Sequence, residues 1–308
     1  MRKDYDVIIL GAGPAGTACA LALRDADLKV ALIDKSAFPR DKTCGDAIPG
    51  PCLKILDKLC KNQHVPSLDL TTSSNISHSH IFPTKGKRIT IQWKAPAYNA
   101  KRVDFDHYLL QLVKETTNTT VLEATQIEQV TRTDKIELTA KNGSNVFRCE
   151  LLIAGDGANS VAVRQLLPDF NKTLLTGHAI RAYYTNVDCA HNSNEFYLLD
   201  DFPGYFWIFP LANNQYNVGV GLLNPNVQKS NDIKTEMLRV IKTHPIIQRK
   251  FRNATLTSKI LGFRLPLGGI DTQLTDDRLI LTGDAAHLID PLQGHGIDKA
   301  MESGVAAA

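Results

Sequence analysis

The chain has 308 residues, a formal charge of +3 and a sequence pI near 8.4. So mild and dispersed a balance argues against a nucleic-acid surface, and 43% hydrophobic with 22% charged residues is the composition of a globular protein with one large or two medium domains. No stretch approaches the roughly 18 to 20 apolar residues of a spanning helix, and no separate apolar segment or cleavage site precedes the first strand. The reading is therefore a cytoplasmic protein whose membrane contact, if any, is peripheral.

Residues 5–34 read as strand, glycine turn, helix and strand, one half of a βαβ unit. From Lys35 to about Pro51 the chain is rich in Pro, Gly, Arg and Asp, which predicts a long loop over a ligand. A short amphipathic helix is expected over 52–60, strands over 76–93 around the Lys85-Gly86-Lys87 turn, and a second helix from about Phe105 to Thr116. An antiparallel meander then leads to ELLIAGDGANS, strands alternate through 174–222, 230–252 is amphipathic helix, and the chain closes with a buried strand, a loop and the start of a helix.

Gly11-Ala12-Gly13-Pro14-Ala15-Gly16 follows a strand and opens a helix, the context that gives this spacing meaning. Gly11 permits the tight turn, Gly13 lets the backbone approach a pyrophosphate, and Gly16 lets helix and strand pack closely. The helix N-terminus then favours an anion. Asp34, 18 residues after Gly16, is placed to accept hydrogen bonds from a ribose. This motif alone does not separate FAD from NAD. Gly155-Asp156-Gly157 and Gly283-Asp284 each end a buried apolar run with an acid beside glycine.

Taken in order, GxGxxG, then AGDGxxS with Arg164 four residues beyond Ser160, then GDAAHxxxPxxGxG, the chain resembles the FAD-dependent monooxygenases and reductases related to p-hydroxybenzoate hydroxylase. The resemblance implies an FAD site made by Gly11, Gly13, Pro14, Ala15, Gly16, Asp34, Lys35, Arg40, Cys44, Gly45, Arg102, Asp156, Gly157, Gly283, Asp284, Pro291, Gly294, Gly296 and Ile297. In it Asp284 holds the ribityl chain, and backbone amides from Gly294 to Ile297 face the pyrimidine end of the ring, where reduction places negative charge. Arg102 would lie close to the flavin, or else be a surface arginine at the helix start.

Two segments narrow the resemblance. Phe38-Pro39-Arg40-Asp41-Lys42-Thr43-Cys44-Gly45-Asp46 is similar to the PxxxxCGG loop of geranylgeranyl reductases, with Asp46 in place of the second glycine. Tyr205-Phe206-Trp207-Ile208-Phe209-Pro210, followed by Gly219 and Gly221, is similar to their YxWxFP…GxG signature. This implies an FAD-dependent oxidoreductase that reduces carbon-carbon double bonds of a geranylgeranyl or similarly apolar lipid. Cys44 would be catalytic, positioning the substrate or helping to deliver a proton. Tyr205, Trp207, Phe209, Pro210, Gly219 and Gly221 would line the substrate site, the glycines letting a chain lie close to the backbone. Aromatics at period 2 are as often core.

No second GxGxxG is present, so NADPH bound transiently, or a small reduced carrier, is the expected electron donor. A monooxygenase or halogenase of the same fold is the first rival, although YFWIFP lacks the first Trp and the Ile of WxWxIP. A non-catalytic prenyl-binding protein is the second. His287 and His295 are candidate donors to the ring, while His78, His80 and the six cysteines (Cys19, Cys44, Cys52, Cys60, Cys149, Cys189) have no metal-site spacing.

The expected fold is α/β: a Rossmann-like FAD-binding domain (1–75, 100–165 and 269–308) interleaved with a mostly antiparallel β-sheet substrate domain (76–99 and 166–268). Relatives continue past the helix in which Ala308 falls, so a C-terminal helical region is expected beyond it.

Overall fold

A computed structural model describes residues 2–60, 72–141, 143, 145–170, 175–200, 202–222, 230–270 and 272–308, with the side chains of 230–232 set aside. Parts of both expected domains (61–71, 171–174 and 223–229), and with them Leu174 and Leu223 at the ends of the strand region, lie outside the described residues.

The first sheet is built on Arg2–Leu10, which pairs in parallel with Val30–Ile33 on one side and Val146–Ala154 on the other. Thr120–Leu122 and Leu279–Leu281 extend it in parallel at either end. Ile8, Ile9, Leu32, Ile33, Leu152 and Ala154 are fully buried, as expected of strands covered on both faces. The helices Pro14–Ala22, Gly50–Cys60, Arg102–Thr116 and Ile297–Ala306 contribute to the core on one face of this sheet. The meander Ile127–Arg132, Ile136–Ala140 and Val146–Ala154 pairs antiparallel.

The second sheet runs Thr255–Leu256, Thr176–Thr185, Gln215–Leu222, Phe202–Pro210, Ser193–Leu199, Ser74–Phe82, Ile89–Asn99 and Ala47–Ile48, with Leu261–Pro266 also on Thr176–Thr185. It is antiparallel except between Ser193–Leu199 and Ser74–Phe82. One face, with Tyr197, Phe206, Ile208, Val218 and Val220, is buried with Ile233, Met237 and Val240 of the helix Ser230–Thr243 and with Ile247 of the helix Pro245–Lys250. The other face carries the candidate site.

Some elements differ from the sequence reading. The helix expected from Phe105 begins a turn earlier, at Arg102, because Lys101 supplies an extended N-cap and the alternating strand ends at Asn99. The single helix expected over 230–252 is two, since Pro245 has no amide to continue the first and begins the second behind the ring of His244, which accepts from the Ile247 amide. The loop after Lys35 is interrupted by Ala47–Ile48, which falls in the range given to the FAD-binding domain but pairs with Tyr98 and Asn99 of the second sheet.

Candidate active site

The glycine turn is fixed by contact. Gly11 has φ +100°, and a Cβ there would lie 2.3 Å from the Gly155 carbonyl oxygen; one on Gly16 would lie 1.9 Å from the Gly11 carbonyl oxygen. Any side chain would push the strand ends apart. Gly13 is different: a Cβ there would meet nothing nearer than Arg40 Nη2 at 3.8 Å. The open space above Gly13, at the N-cap of Pro14–Ala22, is the cradle an anion needs. Pro14 has no amide to give, and the Ala15 methyl turns inward beside Gly155 and Gly283, so Ala15 can offer a ligand only its backbone.

Asp34 is buried and joins the turn to the second strand, accepting from the Ala12 amide at 2.8 Å and the Ser36 amide at 2.8 Å. Each oxygen keeps capacity for another donor. Lys35 beside it is exposed. Asp156 accepts from the Val161 amide at 2.7 Å through Oδ2, while its buried Oδ1 has no protein partner. Burial raises its pKa. Gly157 has φ +83° and open space where a Cβ would be.

Arg102 is not a surface residue. It is 4% exposed and its guanidinium is held bidentate by Asp106, Nε to Oδ1 at 2.6 Å and Nη2 to Oδ2 at 2.7 Å. Burial pulls its pKa down, but Asp106, with Cys44 and Asp284 nearby, more than offsets that, so it stays charged. Arg40 Nη1 donates to the same Asp106 at 2.8 Å. Lys42 reaches Asp284 at 3.1 Å, joining the cysteine loop to the short 3₁₀ turn Gly283–Ala286.

The loop ahead of the last helix is stiffened by Asp290, whose Oδ1 accepts from the amides of Leu292 and Gln293, and by Gly294 at φ +72°. Gly294 donates its amide to the Asp290 carbonyl at 2.9 Å, which corrects the expectation that this amide faces a ligand: it is consumed in closing the loop. The first-turn amides of Ile297–Ala306 have no acceptor within the helix and remain as the donor set. Pro291 is exposed and packs near Gly269. His295 is engaged through both ring nitrogens, by Asp298 and Gln293, and Asp298 raises its pKa. His287 is buried with its ring edge-on to Phe170.

The cysteine loop lies on the open face of the second sheet. A Cβ on Gly45 would be 3.3 Å from the Phe209 ring, so this glycine seats the loop on the aromatic strand. Asn217 Nδ2 donates to the Cys44 carbonyl and to Asp46 Oδ2, both at 2.8 Å. Tyr183 Oη also donates to Asp46 Oδ2 at 2.8 Å, and the Arg102 amide donates to Oδ1 at 3.3 Å. Asp46 is fully buried at φ +65°. It thus adopts a left-handed backbone that glycine takes freely, at a cost that Asp and Asn bear better than most residues. Loss of water pushes its pKa up to about 6, against the lowering pull of Asn217, Tyr183, Arg181 and Arg102. Cys44 itself is half-buried.

Tyr205, Trp207 and Phe209 do share one face, with ring centroids 6.0 Å apart in succession. Trp207 and Phe209 are buried beneath the cysteine loop, whereas Tyr205 and Phe196 remain half-exposed. The Tyr205 hydroxyl donates to the Gln293 carbonyl, tying this wall to the loop before the last helix. Gly219 does not leave the room for a ligand expected of it from the sequence, whereas a Cβ on Gly221 would make only ordinary contact with Trp207 at 3.5 Å. A Cβ on Gly219 would lie 2.2 Å from Trp207 Cζ2, because the indole, pinned by Nε1 to Asn217 Oδ1 at 2.9 Å, fills that space. Pro210 ends the strand, its carbonyl accepting from Asn99 at 2.8 Å.

Sequence reasoning missed Asp106, Asn217 and Tyr183. Asp106 is four residues beyond Arg102 on one helix face, and Asn217 is two before Gly219 in an alternating strand. Both spacings were readable.

A parallel sheet with a glycine turn, a buried arginine and a thiol loop laid on an aromatic sheet face defines a dinucleotide-dependent oxidoreductase. The comparisons agree. The family model described as FAD binding domain matches residues 4–308. A menaquinone reductase of Mycobacterium tuberculosis is 29% identical over 98% of this chain and 75% of its own length. A digeranylgeranylglycerophospholipid reductase of Methanocella arvoryzae is 27% identical over 99% and 76%. Among solved structures, a geranylgeranyl bacteriochlorophyll reductase-like protein from Thermoplasma acidophilum matches with a TM-score of 0.83 at 22% identity over 100% and 77%. A flavin-dependent brominase matches at 0.81 with 20% identity over 99% and 78%, so the fold is common to both chemistries. The chain belongs to the FAD binding domain family and is an FAD-dependent oxidoreductase.

The described residues fit the cofactor. The space over Gly13, the unpartnered Oδ1 of Asp156 and the first-turn amides of two helices, Pro14–Ala22 and Ile297–Ala306, are groups that a nucleotide would satisfy.

Proposed function

We propose that this protein reduces carbon-carbon double bonds of a geranylgeranyl or similar isoprenoid lipid, with Cys44 as the catalytic thiol and with electrons from NADPH or a small reduced carrier. The observation that carries the reading is the seating of Cys44 and Gly45 on Phe209, beside Trp207, within one hydrogen-bonded unit that includes Asn217, Asp46 and the Arg102 helix. Two relatives are named as reductases, one of a digeranylgeranyl lipid and one of menaquinone.

FAD held there would, when reduced, supply a hydride equivalent for one alkene carbon. The other carbon then needs a proton. Cys44 Sγ is the proposed group to hold that proton or to press the alkene into place, and Asn217 fixes its peptide from below. Tyr205 and Phe196 give the chain an apolar wall that makes no hydrogen-bond demands. The adenosine half of FAD is assigned to Gly11, Gly13, Gly16 and Asp34, and the ribityl and ring half to Asp284 and the start of Ile297–Ala306.

Anaerobic incubation of dithionite-reduced protein with geranylgeranyl lipids, followed by mass analysis, tests the proposal. A gain of two mass units per reduced bond is expected, and Cys44→Ala should lower turnover with flavin content unchanged. Unaltered lipid mass, together with oxygen uptake coupled to NADPH oxidation, would replace the reductase by a monooxygenase.

A further inference from the structure

The aromatic wall does not stop at Tyr205. Strand partners present their side chains to the same side of a sheet, and the register carries the face of Trp207 outward in three steps: Trp207 pairs with Phe196, Phe196 with Ile81, and Ile81 with Ile89. Ile91 and Trp93 follow Ile89 at period 2, and the Trp93 indole donates to Ser79 Oγ at 3.1 Å on that same side. Leu198 follows Phe196 likewise. At the ordinary strand spacing the face extends roughly 15 Å beyond Trp207. It also becomes open to solvent: Trp207 is 5% exposed, but Leu198 is 43%, Ile89 53%, Ile91 39% and Trp93 45%.

Solvent-facing apolar residues in a row on an outer strand are a hazard that proteins retain when something covers them. The charge of the hairpin says what does. Between Asp69 and Asp104 the sequence contains no acidic residue, and the hairpin Ser74–Asn99 carries Lys85, Lys87, Arg88 and Lys94, all exposed. Two such hairpins pairing edge to edge would set like charges against each other. An anionic lipid surface meets both features, because cations at the tip engage headgroups while Ile89, Ile91 and Trp93 enter the interfacial zone, where tryptophan is favoured.

We propose that the hairpin Ser74–Asn99 docks this protein on anionic bilayers, and that the continuous apolar face from Trp93 to Tyr205 is the track along which a lipid chain passes from the bilayer to the site. The track rests on the isoprenoid reading of the site; the docking does not.

The test uses FAD-loaded protein with vesicles of phosphatidylglycerol or of phosphatidylcholine. The chain has two tryptophans, and Trp93 is the exposed one. With phosphatidylglycerol, co-sedimentation, a blue shift of tryptophan emission and quenching by brominated acyl chains are expected, the emission response disappearing in Trp93→Phe. Each Lys or Arg near an anionic surface contributes roughly fivefold to partitioning. The triple variant Lys85→Gln, Lys87→Gln, Arg88→Gln should therefore bind about a hundredfold more weakly while keeping its flavin absorbance. Ile89→Ser with Ile91→Ser should abolish the blue shift. Equal binding by the triple variant, or no response of Trp93 to vesicles, overturns the docking. So does a concentration-dependent dimer that Ile89→Ser with Ile91→Ser dissociates, since a second copy would then cover the face. Turnover of detergent-dispersed lipid separates the two claims. The triple variant should retain it, and its absence in the parent protein would count against the reductase reading alone.

Discussion

Asp46→Asn probes the one residue that departs from the family loop. The carboxyl is fully buried and its pKa is raised from 3.8 to about 6. Because the native group keeps its proton to higher pH than the unfolded one, its contribution to stability is fully present below about pH 4 and is lost as pH rises through about 6. A rise of about two pH units at 1.36 kcal/mol each is about 3 kcal/mol. Asparagine tolerates the left-handed backbone and can set its carbonyl oxygen under Tyr183 and Asn217. Its amide then opposes the Arg102 N–H now bonded to Oδ1, and two facing donors cost roughly 1 to 3 kcal/mol, a clash the protonated carboxyl avoids by giving its proton from Oδ2 to the Tyr183 hydroxyl, which accepts as well as donates. The wild type should accordingly be the more stable at pH 4, with the gap closing or reversing by pH 7. Urea unfolding of both proteins in saturating FAD, at half-unit steps across this window, measures it. A difference that stays flat within about 0.5 kcal/mol would refute the buried-carboxyl account.

Three other substitutions test the frame. Gly16→Ala puts a methyl 1.9 Å from the Gly11 carbonyl oxygen, so the purified variant should lack the visible absorbance of oxidised flavin. Gly219→Ala drives a Cβ into the Trp207 indole at 2.2 Å; overpacking of this kind costs about 1 to 3 kcal/mol, read as a lower thermal midpoint. Asp106→Asn strips a buried guanidinium of its counter-charge, and breaking a buried pair in this way costs about 3 to 5 kcal/mol in chemical denaturation.

What the sequence disclosed depended on how local the physics was. The turn at Gly11 to Gly16, its strand and its helix follow from short-range pattern and were readable, as was the shared face of Tyr205, Trp207 and Phe209. The partner of that face was not. Whether Gly219 receives a ligand or the Trp207 ring depends on Asn217 holding the indole across ten residues of chain, and alternation alone carries no such information. Arg102 was read from its motif, but its burial follows from the helix starting one turn early and from Asp106. Asp46 stood out as an anomaly, yet its role emerges only when Tyr183 and Asn217, 137 and 171 residues away, converge on it.

The ties that hold the cysteine loop are unequal, and the inequality has a direction. Toward its start, Asp41 meets Arg181 at 2.7 Å with a half-exposed carboxylate, and Lys42 meets Asp284 at 3.1 Å with its side chain 28% exposed. The Lys42–Asp284 pair, partly open to water, contributes about 0 to 1 kcal/mol, whereas release of Asp41 would leave the buried Arg181 guanidinium without its carboxylate. Toward its end, Asp46 and Asn217 are wholly buried and mutually bonded, so each lost partner there leaves an unsatisfied polar group at roughly 1 to 3 kcal/mol. The weakest of these ties is therefore Lys42–Asp284, and the Cys44 peptide, bonded to Asn217, is held by the stronger ones.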